Sequence, residues 1–293
     1  MKKILLILAL AFTAFAFQTE AKKIALLVGI SNYEDAKLGW KNLHASNDLD
    51  LLTPILNKAG FEVQTIRNNA ATHNAILNKL DQLAAKSQKG DKVLILLSGH
   101  GQQKINTFGD PEPFTQTFIP FDAARKCTKK YRGERHLTDD ELNLKLKAIK
   151  TKIGTSGELM IALDACHSAD GTRGGNEDDL DEEPIETPND GEDMPAERGD
   201  GDIFGKGILK VAKKTKKQAP MPCDFEIAAC ASNGVSIECR GDDGKIYGSL
   251  SYLIFKGIKS NNGVVNFGTL YNYVKKNYPM TMRSTPYCRR GEK

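Results

Sequence analysis

Residues 92–101 read KVLILLSGHG, and residues 158–168 read ELMIALDACHS. Each opens with a continuous apolar run of strand length, as expected for a strand covered on both faces, and each then breaks abruptly into small and polar residues. The first run delivers His100 between two glycines, and the second delivers Cys166 followed by His167 and Ser168. Two buried strands of this kind belong to a parallel sheet, where the carboxyl ends lie on one edge and side chains carried there meet.

Working outward, KIALLVGI (Lys23 to Ile30) is a third run of the same type. Asn47 to Ala59 has helical spacing through Leu49, Leu52, Ile55 and Leu56, with Gly60 as its stop. FEVQTI is then a strand, Thr72 to Ser87 a helix carrying Ile76, Leu77, Leu80 and Leu83, and KVLILLS the next strand. The order is β-α-β-α-β. TFIPFD reads as a further short strand, and TDDE at Thr138 is a capping box with acids at the positive end of a helix dipole. FEIAACAS is a strand, and Gly248 to Ser260 and Phe267 to Asn277 are helices. Alternation in this register predicts an open, mostly parallel sheet sandwiched by helices.

The chain has 293 residues, 40% apolar and 27% charged, enough for one domain with a real core. A formal net charge of +4 gives no argument for nucleic acid or an anionic membrane as partner. MKK followed by ILLILALAFTAFAF and the small-residue patterns AFA and TEA predicts a secretory signal peptide over 1–21, cleaved after Ala16 or Ala21. The apolar run falls short of the roughly 20 residues of a spanning helix, and no cysteine follows it, so no permanent membrane anchor is expected. The mature domain is then 22–293, periplasmic or extracellular. Within it, Asn176 to Asp202 holds 13 acids, one arginine and three prolines, a composition that predicts a solvated, disordered insertion. Of the six cysteines, Cys223, Cys239 and Cys288 stand in loop-like sequence and are candidates for pairing, whereas Cys230 reads as a buried small hydrophobe.

A thiol and an imidazole brought to one sheet edge suit covalent catalysis: the thiolate attacks a carbonyl, and the imidazole protonates the leaving amine. Glycines around His100 admit a substrate backbone, and the amides of Gly101 and Cys166 are candidates for an oxyanion hole. Singly, a cysteine or histidine here is more often a packed core residue. The combination of strand-SGHG with strand-DACHS carries the catalytic reading. His167 has no second Cys/His pair at zinc spacing, and no phosphate-binding glycine motif follows any strand.

On SGHG and DACHS, supported by IALLVGISNYED, NLHASNDLDLL, FIPFD and YGSLSYLIFKGI, the sequence resembles the caspase-like peptidases, and among them the metacaspase and bacterial caspase-homologue branch. The resemblance implies a caspase-hemoglobinase-like three-layer α/β sandwich with a mostly parallel central sheet, and His100 and Cys166 as a catalytic dyad. Ala169 stands where that family usually has glycine after CHS. It also implies that Asp48, Ser98 and Asp164 line a pocket for a basic side chain, so that protein or peptide substrates are cut after Arg or Lys. The alternative for these acids is structural, Asp48 capping its helix and Asp164 anchoring the active-site loop. Asp139 and Asp140 fall where relatives place calcium ligands, but Arg173 stands where a further acid often contributes, and the two acids also serve as first-turn residues of a capped helix. No organic cofactor is called for. The other readings are a catalytically silent caspase-like peptide-binding module and a clostripain- or gingipain-like peptidase of the same clan.

Overall fold

The computed structural model describes residues 20–33, 39–105, 114–125, 130–131, 133–165, 221–229, 238–278 and 287–290. The signal-peptide run, the acidic stretch 176–202, Cys127, Cys166 and Cys230 lie outside these described residues, as does the side chain of Cys288.

Six strands form the central sheet in the order β11-β8-β7-β3-β1-β2. They are β1 (Lys23–Gly29), β2 (Glu62–Arg67), β3 (Lys92–Ser98), β7 (Glu158–Asp164), β8 (Phe225–Ala228) and β11 (Tyr287–Arg290). All pairings are parallel except that of β11 with β8 at the edge. The apolar runs alternate between two cores because successive side chains point to opposite faces of a strand. Ile24, Leu26 and Val28, with Val93, Ile95, Leu97, Leu159 and Ile161, face α2 (His73–Lys86) and α3 (Asp139–Ile153). Ala25, Leu27, Leu94, Leu96, Met160 and Ala162 face α1 (Ala45–Lys58), α4 (Ser249–Ser260) and α5 (Phe267–Asn277). This is the three-layer sandwich expected from the sequence.

Element boundaries follow local chemistry. Thr138 caps α3 with the capping box complete, its hydroxyl accepting from the Glu141 amide while the Glu141 carboxylate accepts from the Thr138 amide. Gly60 ends α1 at φ +85°, a left-handed conformation that favours glycine, and its amide donates to the Asn57 carbonyl. Helix α1 begins two residues before the expected Asn47, and Pro54 lies inside it.

Two expectations are corrected. TFIPFD is strand only at Thr117 and Phe118: β5 is Phe114–Phe118, paired antiparallel with β4 (Gly101–Ile105) and β6 (Leu137–Thr138) in a separate three-stranded sheet. The chain leaves the ladder at Ile119, whose amide donates to the His100 carbonyl; Pro120 has no amide, and the Phe121 amide donates to the Ala71 carbonyl. Cys223 does stand in irregular chain just ahead of β8, but it is buried in the core beside the sheet; Cys239 is not in a loop but in β9 (Glu238–Arg240), which forms a hairpin with β10 (Ile246–Gly248).

Candidate active site

The site grows from the strand tips. Gly29, Ser98 and Asp164 are in register across β1, β3 and β7, so three chains leave the sheet from one row. The Ile30 amide donates to the Ser98 carbonyl at 3.0 Å and the Gly99 amide to the Asp164 carbonyl at 3.2 Å, which zips the row together beyond the ladder. Glycine is required at the first tip, because a Cβ on Gly29 would stand 2.8 Å from the Ala45 carbonyl oxygen at the start of α1 and 2.6 Å from Leu49 Cδ1.

His100 follows directly from β3 and is 1% exposed. Its Nε2 lies 2.8 Å from the Lys41 carbonyl oxygen, and a carbonyl only accepts, so Nε2 carries the proton. In the neutral ring the lone pair is then on Nδ1, the nitrogen that a thiol would have to address. Trp40 stacks on the ring at 5.0 Å between centroids and 27° between planes, and Tyr33 approaches at 4.9 Å and 51°. The Tyr33 hydroxyl accepts from the His100 amide at 3.1 Å and donates to the Ile119 carbonyl at 3.0 Å. Gly99 leaves room for that hydroxyl, which a Cβ there would meet at 3.0 Å.

Asp48, Ser98 and Asp164 are all fully buried, and the structure brings them together. Ser98 Oγ donates to Asp48 Oδ2 at 2.6 Å, and Ser98 is the register partner of Asp164. Asp48 Oδ1 accepts from the Gly248 amide at 2.8 Å, and Asp164 Oδ2 accepts from the amide and hydroxyl of Ser251 at 2.9 and 2.7 Å. Donors of this kind orient a carboxylate without neutralising it. Asp48 is therefore not its helix's cap: His44 holds that position, and the Asp48 carboxylate reaches across to β3 and β10. Asp164 ties the start of α4 to β7 through Ser251.

Cys166 itself is outside the described residues; β7 and Ala165 carry the chain to it, buried to the last residue. Gly101 opens β4 opposite Phe118. Asp139 and Asp140 occupy the first turn of α3, where Asp139 Oδ1 accepts from the Asp140 amide. Among the described residues no group of three His, Cys, Asp or Glu side chains is placed to hold a metal ion.

Sequence reasoning missed Tyr33, Trp40, Gly248, Ser251 and Cys239. Burial pushes the Cys239 thiol up to about 11; a hydrogen bond with Ser249 works against this, and the charges of Asp164, Asp48 and Glu238 add to it.

A family model described as the caspase domain matches residues 22–279. Among solved structures, protein GSU0716 from Geobacter sulfurreducens superposes with a TM-score of 0.58 at 20% identity, over 92% of each chain. Caspase-1 from Spodoptera frugiperda gives 0.53 at 14% identity over 92% of this chain and 89% of that one, and its pro-form gives 0.50 at 14% over 92% and 87%. A search of curated protein sequences finds no match. The fold is that of the caspases, and with the family model spanning nearly all of the described sheet, this chain belongs to the caspase-domain family of cysteine peptidases.

Proposed function

We propose that the protein is an exported endopeptidase of the metacaspase kind that cuts after Arg or Lys, with Cys166 as nucleophile and His100 as its proton-transfer partner. The thiolate of Cys166 attacks the scissile carbonyl, and the negative oxygen is met by the amides of Gly101 and Cys166. The C–N bond then breaks as the His100 imidazolium gives its proton to the leaving amine, and water hydrolyses the thioester with the same imidazole as base. The Lys41 carbonyl holds Nε2–H throughout, so the ring exchanges its proton at Nδ1 without turning. The scheme calls for no organic cofactor.

The observation that carries the specificity is the buried set Asp48, Ser98 and Asp164 at the strand tips from which His100 emerges. Two carboxylates in a desolvated site favour a cationic side chain, and a guanidinium or ammonium satisfies their remaining acceptor capacity. Export rests on the apolar run behind MKK.

The test is a panel of peptides differing only in the residue before the cut, offered to the mature protein, to Cys166→Ala and to His100→Ala. Cleavage after Arg and Lys that both substitutions abolish is the expected result. Binding of peptides with no turnover by the wild type would identify a silent peptide-binding module, and turnover by Cys166→Ala would end the mechanism.

A further inference from the structure

A buried polar relay stands behind Gly101. Gln102 and His136 are each 1% exposed and Tyr131 is 6% exposed. His136 Nε2 lies 2.8 Å from Gln102 Oε1, and the Tyr131 hydroxyl lies 2.8 Å from His136 Nδ1. The far end of the carboxamide, Gln102 Nε2, faces the Arg125 carbonyl at 3.5 Å. A carbonyl only accepts, so the amide nitrogen belongs on that side and Oε1 on the side of the ring; His136 Nε2 then carries the proton, and Nδ1 accepts from Tyr131. Burial holds the Tyr131 hydroxyl well above the ordinary tyrosine range, against a hydrogen bond with the Ala124 backbone, so it stays a donor. An imidazole, a phenol and a carboxamide withdrawn from water are costly unless they order one another. The chemistry proposed for Cys166 and His100 uses none of the three.

The place of the relay in the sheet gives it a use. The Ile119 amide donates to the His100 carbonyl at 2.9 Å, so His100 and Ile119 form a hydrogen-bonded pair and the next pair, Gly101 with Phe118, does not. The Gly101 amide therefore points away from β5, off the edge of the three-stranded sheet, as a donor to a substrate oxygen must. On the other side of Gly101, Gln102 is held twice: its carbonyl accepts from the Thr117 hydroxyl at 2.8 Å, and its side chain accepts from His136. Two residues before Arg125, the Ala123 carbonyl accepts from the indole of Trp40, the ring stacked on His100.

We propose that His136 is a positioning residue for catalysis: through Gln102 it fixes the lie of β4, and so the direction in which the Gly101 amide meets the developing oxyanion. The proposal rests on the reading of Cys166 as nucleophile and Gly101 as oxyanion donor. His136 itself touches neither the substrate nor the reacting atoms. The oxyanion exists only after attack, so an amide aimed off line weakens transition-state binding and spares ground-state binding.

Two replacements of similar shape separate this role from packing. In His136→Gln the new amide nitrogen stands where Nε2 was and still donates to Gln102, whereas in His136→Asn the amide reaches only the Nδ1 position and Tyr131. Steady-state kinetics on an Arg peptide are expected to give kcat within about threefold of wild type for His136→Gln and about tenfold lower for His136→Asn, with KM little changed in both. Equal kcat in the two folded variants, or a loss that appears in KM alone, overturns the proposal. Gln102→Met keeps the length and removes the acceptor; it should lose kcat to the same degree, and joined to His136→Asn it should lose no more than either alone. Losses that multiply overturn the shared route, and if His136→Asn fails to fold, Gln102→Met against His136→Gln carries the comparison. A second measurement needs no turnover: in Cys166→Ala protein, His136→Asn is expected to leave the Kd of the Arg peptide unchanged. A Kd weakened as much as kcat/KM overturns the proposal. A wild type that binds the peptide without cleaving it removes instead the reading of Cys166 and Gly101, and the proposal with it.

Discussion

Asp48 has a donor on each oxygen, the Ser98 hydroxyl on one and the Gly248 amide on the other. In Asp48→Asn the amide oxygen keeps Gly248, and the Ser98 hydroxyl turns from donor to acceptor for the new NH2 group. In Asp164→Asn the amide oxygen keeps both Ser251 donors. Each substitution therefore removes a charge and keeps these hydrogen bonds. Cleavage after Arg is expected to fall about ten- to a hundredfold in kcat/KM, as for a lost charge-assisted hydrogen bond, with a thermal midpoint within a few degrees of wild type. A large fall in the midpoint with Arg preference retained would return both acids to purely structural roles. At this scale strand-terminal motifs brought His100, Ser98 and Asp164 into view, and the family resemblance pointed to the pocket role of Ser98 and Asp164 and to Asp48 in α1. The Lys41 carbonyl, the Tyr33 hydroxyl and the Trp40 face around His100 were not legible. A backbone acceptor has no residue signature, and two buried aromatics before a helix read as ordinary core.

Among elements, α3 shows most directly how a written signal becomes a boundary. Thr138→Ala deletes the hydroxyl that accepts from the Glu141 amide and is expected to cost about 1 kcal/mol, read as a lower denaturant midpoint with an unchanged slope. Burial raises the Glu141 carboxyl, but the Thr138 amide, His73 and the Thr138 hydroxyl outweigh it and hold the carboxyl below its ordinary value. A group depressed in the folded state contributes stability above its unfolded pKa and loses it as pH falls through the folded one, so this part of the cap fades in acid. The helices and the five parallel strands were legible because helical apolar spacing and short, largely apolar runs of strand length differ plainly in this chain. The sheet β4-β5-β6 was not, since FTQTF alternates weakly and its partner GQQKI is polar. Neither was the β9–β10 hairpin, whose strands are three residues each.

For the molecule as a whole, the three-layer arrangement means that the chain on either side of residues 166–220 shares one sheet. Strand β8 lies parallel to β7 with Met160 opposite Phe225 and Leu163 opposite Ala228, and α4 packs on the same core as α1. Arg173, Arg198, Lys206 and the run Lys213 to Lys217 bracket or interrupt the acidic stretch, and an enzyme with an acidic pocket is expected to cut its own chain there. The two fragments should remain one particle: denaturing gels would show two bands where native mass spectrometry shows the intact mass plus water. Fragments that separate would contradict the shared sheet, and Cys166→Ala protein that fragments equally would contradict self-cleavage.

The bond between the Gly248 amide and the Asp48 carboxylate joins residues 200 positions apart. A ribosome building this chain completes the strand that leads to His100 early and the strand that leads to Cys166 midway, yet Gly248 is added only in the final quarter. Synthesis order therefore imposes a delay: the residues of the proposed dyad are both made well before the proposed pocket acid can be fixed by its distant backbone donor.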